Sequence, residues 1–199
     1  MEVAQDTLAV IYRRRAIRSF TPEAVDKATI QELLRAAVHA PTAMHLEPWG
    51  FAVVQDTSRL RSYSDRAKTL LLEQGRQTDS MVHDGEPHPR GHLATLADPA
   101  FNIFYDAGTL VVICRKTHGP FADADCWLAA QNFMLAATAM GLGTCCIGFA
   151  VPVLNQLDVK SELGIPETGA AVAPIIVGVP RSVPAPVPRK NPEILAWVA

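Results

Sequence analysis

Apolar residues in this chain follow two patterns, helical spacing and short continuous runs. Positions three and four residues apart predict helices at about residues 6–15, 29–39, 58–73, 123–140 and 153–163. Continuous apolar runs, which are typical of strands covered on both faces, predict strands at residues 50–54, 109–114 and 172–179, with a shorter one at 145–149. Because helical segments separate the strands, the pattern predicts a three-layer α/β or an α+β fold with a central sheet.

Single residues refine the ends of these elements. Thr29 and Glu32 form a capping box at the start of the second helix. Asp123 or Asp125 is expected to cap the helix that runs to about residue 140. Pro174 has no N–H to donate, which favours an edge strand or a bulge in the last apolar run.

The helix that ends near residue 140 is apolar almost all round, which predicts a position in the middle of a larger structure. The chain of 199 residues is 49 % apolar and only 19 % charged, against about a quarter charged in ordinary domains. A single domain of this size already buries most of the surface that it can. Composition alone leaves two interpretations open: the excess apolar residues cover a subunit interface, or they are mainly alanines that occupy ordinary helical positions.

Charge and cysteine content exclude several classes of protein. The formal net charge of −2 argues against a general nucleic-acid binder, which usually carries a positive excess. The sequence contains no run of about 18 apolar residues, so it predicts no membrane span. The first residues lack the layout of a signal peptide. The four cysteines have neither C-x-x-C nor zinc spacing, which predicts reduced structural thiols and no metal site. We therefore expect a soluble, cytoplasmic protein of one domain.

Two segments differ from the rest in composition. Residues 74–99 are polar with several glycines and prolines, which predicts a mobile loop or lid. Residues 180–192 hold five of the 15 prolines and predict an extended arm over another surface. The apolar end at residues 194–198 gives that arm an anchor.

The densest candidate for chemistry is a basic cluster before the first turn. Four of the 18 basic residues fall within six positions: Arg13, Arg14, Arg15 and Arg18. Arginine forks bind phosphate in two-point geometry, so the cluster is a candidate anion site, with a solvated basic patch as the alternative. The loop at residues 40–49 is a second candidate, because loops on a rigid scaffold often carry function. Gly141 and Gly143 do not form a dinucleotide-binding loop, since they follow a helix and open a strand.

Taken together, these motifs resemble the nitroreductase family of FMN-dependent oxidoreductases. The resemblance rests on the segments Arg14–Phe20, Ala40–Ala43, Pro48–Phe51, Asp106–Ala107, Gly141–Thr144, Ile176–Pro180 and Arg189–Lys190. It implies an α+β, three-layer α/β/α fold with a central, mostly antiparallel sheet over residues 1–180. It also implies an entwined homodimer, with the helix at residues 127–140 in the interface and the arm at residues 181–199 packed on the partner.

The resemblance further implies FMN at the subunit interface, NADH or NADPH as electron donor, and a nitroaromatic, quinone or enone as the acceptor in a ping-pong reaction. Because the flavin carries this chemistry, no catalytic side chain is implied. The implied phosphate and ribityl contacts lie at Arg14, Arg15, Ala16, Arg18, Arg189 and Lys190. The implied ring contacts are Pro41, Thr42, Ala43 and His45 of the other subunit, Ile147 and Gly148 near N5, and Asn102.

Three positions depart from the usual family pattern: Ala16 replaces Ser, His45 replaces Asn and Glu47 replaces Gln. Ala16 removes a hydroxyl that can contact phosphate, and His45 is larger than Asn but can still donate a hydrogen bond. The departures at Ala16 and His45 keep a second hypothesis open, a flavin-binding or flavin-sequestering protein of the same fold. A third hypothesis, a nucleic-acid or phosphoprotein module built on the arginines, is opposed by the acidic net charge.

Overall fold

The computed structural model of the protein describes residues 7–81 and 90–198. Each long apolar segment of the described chain forms a helix or a strand. The helices are α1 (Thr7–Arg13), α2 (Lys27–Val38), α3 (Thr57–Met81), α4 (Arg90–Ala97), α5 (Ala122–Ala139), α6 (Val151–Leu154) and α7 (Leu157–Glu162). The strands are β1 (Trp49–Val54), β2 (Thr109–Arg115), β3 (Gly143–Cys146) and β4 (Ala170–Gly178).

The strands form one antiparallel sheet in the order β1-β2-β4-β3. Its side chains alternate between two cores. Leu110 and Val112 of β2 face a core shared with α3, α4, α6 and α7, whereas Val111 and Ile113 face a core shared with α2 and α5. Because both faces of the sheet are covered, the central strands are continuously apolar. The structure therefore confirms the predicted α+β architecture.

Pro174 lies in β4, which has a neighbouring strand on each side, so the edge-strand interpretation is wrong. Its carbonyl accepts a hydrogen bond from Ile147 N at 2.8 Å. Both backbone groups of a strand residue point to the same side, so the missing N–H of Pro174 faces the place where β3 has just ended. A bulge lies close by, since the pairing with β4 shifts between Ile113 and Cys114.

The predicted helix caps are wrong. Asp26 is the N-cap of α2 and accepts hydrogen bonds from Thr29 N at 2.9 Å and Thr29 Oγ1 at 2.7 Å. Thr29 therefore lies inside the helix. Phe121 is the N-cap of α5, and Asp123 and Asp125 lie in its first turn. Asp26 lies three residues before Thr29, and Phe121 lies two residues before Asp123 and caps α5 without a side-chain hydrogen bond. Sequence spacing does not separate these registers.

Three predicted elements also change. The single helix at 153–163 is divided into α6 and α7 by Asn155, whose side-chain amide donates to Val151 O at 2.9 Å and Ala171 O at 3.0 Å. The short strand begins earlier, as β3, and residues 148–150 form a 3-10 turn. The loop predicted at 74–99 is helical to Met81 and again over Arg90–Ala97, and its residues 82–89 lie outside the described ones.

Large apolar side chains also lie on the outside of this fold. Trp127 and Leu128 are exposed on α5, although the opposite face of that helix is buried against the sheet. α1 packs beside α5 and exposes Leu8, Ile11 and Tyr12. Residues 181–198 follow β4 without a helix or strand and are exposed throughout. Among the described residues, no helix has the length and apolar character needed to cross a membrane.

Candidate functional site

The arginine segment is docked on the edge strand β3. Ala16 pairs in parallel with Thr144, and Ile17 N donates to Thr144 O at 2.9 Å. Gly143 permits this approach, because a Cβ there would lie 2.7 Å from the side chain of Ile17. The glycine that the sequence places after α5 thus lets the arginine segment run directly beside the sheet.

The arginines of this segment point to two different places. Arg18 lies beside Cys145 in one pocket, and the charges of Arg18 and Arg14 both act on the thiol of Cys145. Arg15 instead donates to Tyr12 O at 2.6 Å and Arg14 O at 2.8 Å, and it lines a separate groove of about 260 Å³ beside Arg13 and the end of α5. Alternation along an extended segment explains the division.

Arg18 lines an open pocket of about 290 Å³ at the end of β3. The other lining residues are Ile103, Tyr105, Cys145, Cys146, Ile147, Gly148 and Phe149. The guanidinium carbon of Arg18 lies 5.8 Å from the centre of the Tyr105 ring, in cation–π range. A Cβ built on Gly148 would meet nothing within 4 Å, so bare backbone borders the open space. The pocket therefore combines a cation, apolar walls and accessible backbone.

The two thiols of the pocket are neutral at physiological pH. Burial raises the pKa of Cys145, although the nearby charges of Arg18 and Arg14 oppose the shift. Burial, and then the neighbouring Cys145, raises the pKa of Cys146 to about 11. A thiol is a weaker nucleophile than a thiolate, so we assign these residues to the pocket wall.

Asn102 is buried next to the pocket, but its side-chain groups bond within their own turn. Its Nδ2 donates to Asp106 Oδ1 at 2.9 Å, and its Oδ1 accepts from Phe104 N at 2.9 Å. Tyr105 and Asp106 in this turn have φ angles of +52° and +54°, a region that residues other than glycine seldom adopt. In this structure Asn102 shapes the turn that carries Tyr105.

The predicted ring contacts of the 41–45 loop lie on the other face of the sheet. Pro41, Thr42, Ala43 and His45 follow α2, and Ala43 N donates to the buried Asp125 carboxylate of α5 at 3.2 Å. Met44, His45 and Glu47 have φ angles between +43° and +54°. Backbone in this region is strained, and strain of this kind is common at functional sites.

Arg189 and Lys190 lie in the exposed tail after β4. Of the predicted contacts, the structure brings Arg18, Ile147 and Gly148 into one pocket. Ala16 pairs with β3 next to that pocket, the charge of Arg14 acts on Cys145, and the other predicted contacts do not line the pocket of the same chain. The sequence prediction did not include five lining residues, Ile103, Tyr105, Cys145, Cys146 and Phe149. Nearness to Asn102 and Gly148 along the chain was the only signal for them. Among the described residues, no cluster of His, Cys, Asp and Glu could hold a metal ion.

The sheet between two helical layers defines an α+β protein, and the cationic pocket at the end of its edge strand is a candidate small-molecule site. The chain belongs to the nitroreductase family, whose sequence profile matches residues 11–179. This places it in a family of oxidoreductases.

Comparisons with known proteins agree with the family. A protein of Archaeoglobus fulgidus with the provisional name NADH dehydrogenase/NAD(P)H nitroreductase is 27 % identical over 178 residues, which are 89 % of this chain and 87 % of that protein. The fold is similar to that of an FMN-bound nitroreductase from Desulfitobacterium hafniense, with a TM-score of 0.80, 22 % identity and coverage of 99 % and 100 % of the two chains. An FMN-dependent nitroreductase from Clostridium difficile gives a TM-score of 0.74, 25 % identity and coverage of 96 % and 98 %.

Proposed function

We propose that this protein is an FMN-dependent oxidoreductase that takes a hydride from NADH or NADPH and reduces a nitroaromatic, a quinone or an enone. The observation that carries the proposal is the pocket at the end of β3. There Arg18 lies beside the open backbone of Gly148. The family and the NAD(P)H-linked name of the Archaeoglobus relative support the choice of electron donor.

The chemistry of the pocket fits the two halves of FMN. Guanidinium groups form charge-assisted, two-point hydrogen bonds with phosphate. Arg18 is the cation of the pocket, and Arg14, whose charge also acts on Cys145, is the second cation that we assign to the phosphate. Ile147, Phe149 and the ring of Tyr105 give apolar walls for a planar aromatic system. A side chain at Gly148 would occupy the open space, so the bare backbone favours close approach of a ring edge.

When bound, FMN supplies hydride and electron transfer at N5. The residues of this chain bind and orient the group, and Arg18 adds a positive charge beside it. The neutral thiols of Cys145 and Cys146 fill the wall without reacting. Since donor and acceptor need the same space over one ring, they bind in turn, which gives a ping-pong order. No acid–base side chain is required of the pocket.

We also propose that the active form is a homodimer with FMN at the interface. Apolar side chains exposed on α1 and α5 form a surface that a second copy can cover. The strained 41–45 loop lies on the other face of the sheet from the Arg18 pocket, so it is proposed to contact the flavin of the other subunit. The tail at 181–199 is proposed to pack on the partner and to bring Arg189 or Lys190 to the phosphate. We place the reaction in the cytoplasm, where NAD(P)H is supplied and thiols stay reduced.

The test is an anaerobic experiment on the purified protein loaded with FMN. We expect NADH or NADPH to bleach the flavin absorbance, and a nitroaromatic or quinone to restore it. Flavin that binds but keeps its absorbance with both donors would favour the flavin-sequestering alternative, which the departures at Ala16 and His45 motivate. A colourless protein that takes up no added FMN would contradict both functions.

A further inference from the structure

Lys68 is a buried lysine of α3 that holds the segment leading into the pocket wall. Its Nζ donates to Phe101 O at 2.9 Å and to Asp98 O and Pro99 O at 3.5 Å, and it pairs with the Asp65 carboxylate at 3.2 Å. Only 7 % of Lys68 is exposed. A buried ammonium group is costly unless its donors are satisfied. The three carbonyls therefore fix the 98–101 segment on α3.

Ser64 extends this contact by one helical turn. It is fully buried, and its Oγ accepts a hydrogen bond from Ile103 N at 3.1 Å. Residues four apart lie on the same face of a helix, so Ser64 and Lys68 hold the same segment from one side. The backbone is thus fixed on both sides of Asn102.

The fixed segment leads directly into the turn at Tyr105. Asn102 closes that turn through its bonds to Phe104 N and the Asp106 carboxylate. The ring of Phe101, whose carbonyl Lys68 holds, packs edge-on against the Tyr105 ring with 5.6 Å between the centroids. A tyrosine with a φ of +52° keeps that backbone only where its surroundings hold it. Tyr105 in turn supports the guanidinium group of Arg18.

We infer that Lys68 is a positioning residue of the proposed FMN site. Through the carbonyls it holds Tyr105 in place, and through the Tyr105 ring it sets the position of Arg18. Lys68 does not line the pocket itself. The inference rests on the proposed function for the identity of the ligand, and on the contacts above for the path from α3 to Arg18.

Lys160 provides a matched control. It is also buried, and its Nζ donates to a single carbonyl, Glu167 O, at 2.6 Å. No residue from the loop that it holds lines the Arg18 pocket. Lys160→Met and Lys68→Met each remove a buried ammonium group, so both variants lose stability, but only one of them disturbs the pocket wall.

The first measurement is the FMN dissociation constant, followed by flavin fluorescence. Lys68→Met is expected to weaken binding about tenfold, because a site loses affinity when its supporting contacts loosen. Lys160→Met is expected to stay within about twofold of the wild type, the usual scatter for a distant site. Equal losses in the two variants would make Lys68 a fold-stabilising residue only and overturn the inference.

A double-mutant cycle tests the path through Tyr105. If Lys68 acts through that ring, the double variant Tyr105→Leu/Lys68→Met should have the same FMN dissociation constant, within about twofold, as whichever single variant binds FMN less tightly. Additive losses would overturn the path. If Lys68→Met does not fold, Ser64→Ala replaces it, because this variant removes one hydrogen bond from the same contact. Ser64→Ala is expected to weaken FMN binding by less than Lys68→Met. An unchanged FMN affinity in Ser64→Ala would contradict the inference.

Hydrogen exchange in the apoprotein keeps this inference separate from the proposed function. The amides of Phe101, Tyr105 and Ala107 donate within the segment, to Asp98 O, Asn102 O and Phe104 O. Lys68→Met should speed their exchange, and Lys160→Met should not. A wild-type protein that binds no FMN would overturn the proposed function, whereas unchanged exchange in Lys68→Met would overturn the role of Lys68 alone.

Discussion

Asp26 holds the first turn of α2 with one carboxylate. Hydrogen bonds from the Thr29 N–H, and next from the Thr29 hydroxyl, lower the pKa of Asp26 below its ordinary value. A carboxylate whose pKa is lower in the folded state adds stability above its unfolded pKa, and this stability is lost as the pH falls through the folded pKa. The cap of α2 is therefore strongest near neutral pH.

Asp26→Ala should lower the midpoint of thermal unfolding by a few degrees at neutral pH, because two donors of the first turn lose their acceptor. The difference from wild type should shrink as the pH falls below about 4, where the carboxylate of the wild type becomes protonated. Circular dichroism melts at several pH values measure it. Asp26→Asn keeps an acceptor without the titration and serves as the control. A deficit in Asp26→Ala that is the same at low and neutral pH would contradict the account.

At the scale of elements, α5 is a helix with one apolar face in the core and another apolar face exposed on the surface. Its inner face packs Ala129, Ala130 and Phe133 against the sheet, and all three are fully buried. Its outer face exposes Trp127 and Leu128 at 46 % and 45 %. Two apolar faces on one helix are explained if a second subunit covers the outer face, as we propose for the homodimer.

Trp127→Glu should therefore convert a dimer into monomers, because a charge would be buried in the proposed interface. Analytical ultracentrifugation of both proteins at micromolar concentration measures the change. Leu157→Glu is the matched control, since Leu157 is an exposed apolar residue at the start of α7, and this variant should stay dimeric. A wild-type monomer, or a dimer that survives Trp127→Glu, would exclude α5 from the interface.

The elements themselves were largely predictable, and their ends were not. The continuous apolar runs that became β1, β2 and β4, the helical spacing of α2 and the long apolar stretch of α5 were strong local signals. The caps at Asp26 and Phe121 depend on which of several neighbouring residues the backbone selects. The break at Asn155 depends on a hydrogen bond to Ala171, in a strand that follows later in the chain. Contacts of that kind have no signal in local sequence.

At the scale of the whole molecule, the pocket is assembled from separate parts of the chain. The segment docked on β3 carries Arg18, the turn after α4 carries Tyr105, and α3 supports that turn through Lys68. The clustering of basic residues in the sequence pointed to the arginines, and the family resemblance pointed to Gly148. Tyr105 and Lys68 were not predictable, because a lone tyrosine and a lone lysine gain a role only when the fold brings α3 and β3 together.

The central claim is that the Arg18 pocket binds FMN, and it is tested most directly by titrating the apoprotein with FMN in wild type and in Arg18→Gln. Hydrogen bonds to a charged group contribute about 1.5–3 kcal/mol, so the variant should bind roughly 10–100-fold more weakly. Arg35→Gln is the control: Arg35 is an exposed arginine of α2 paired with Glu32, and this variant should bind as the wild type does. Arg18→Gln with wild-type affinity for FMN would contradict the account.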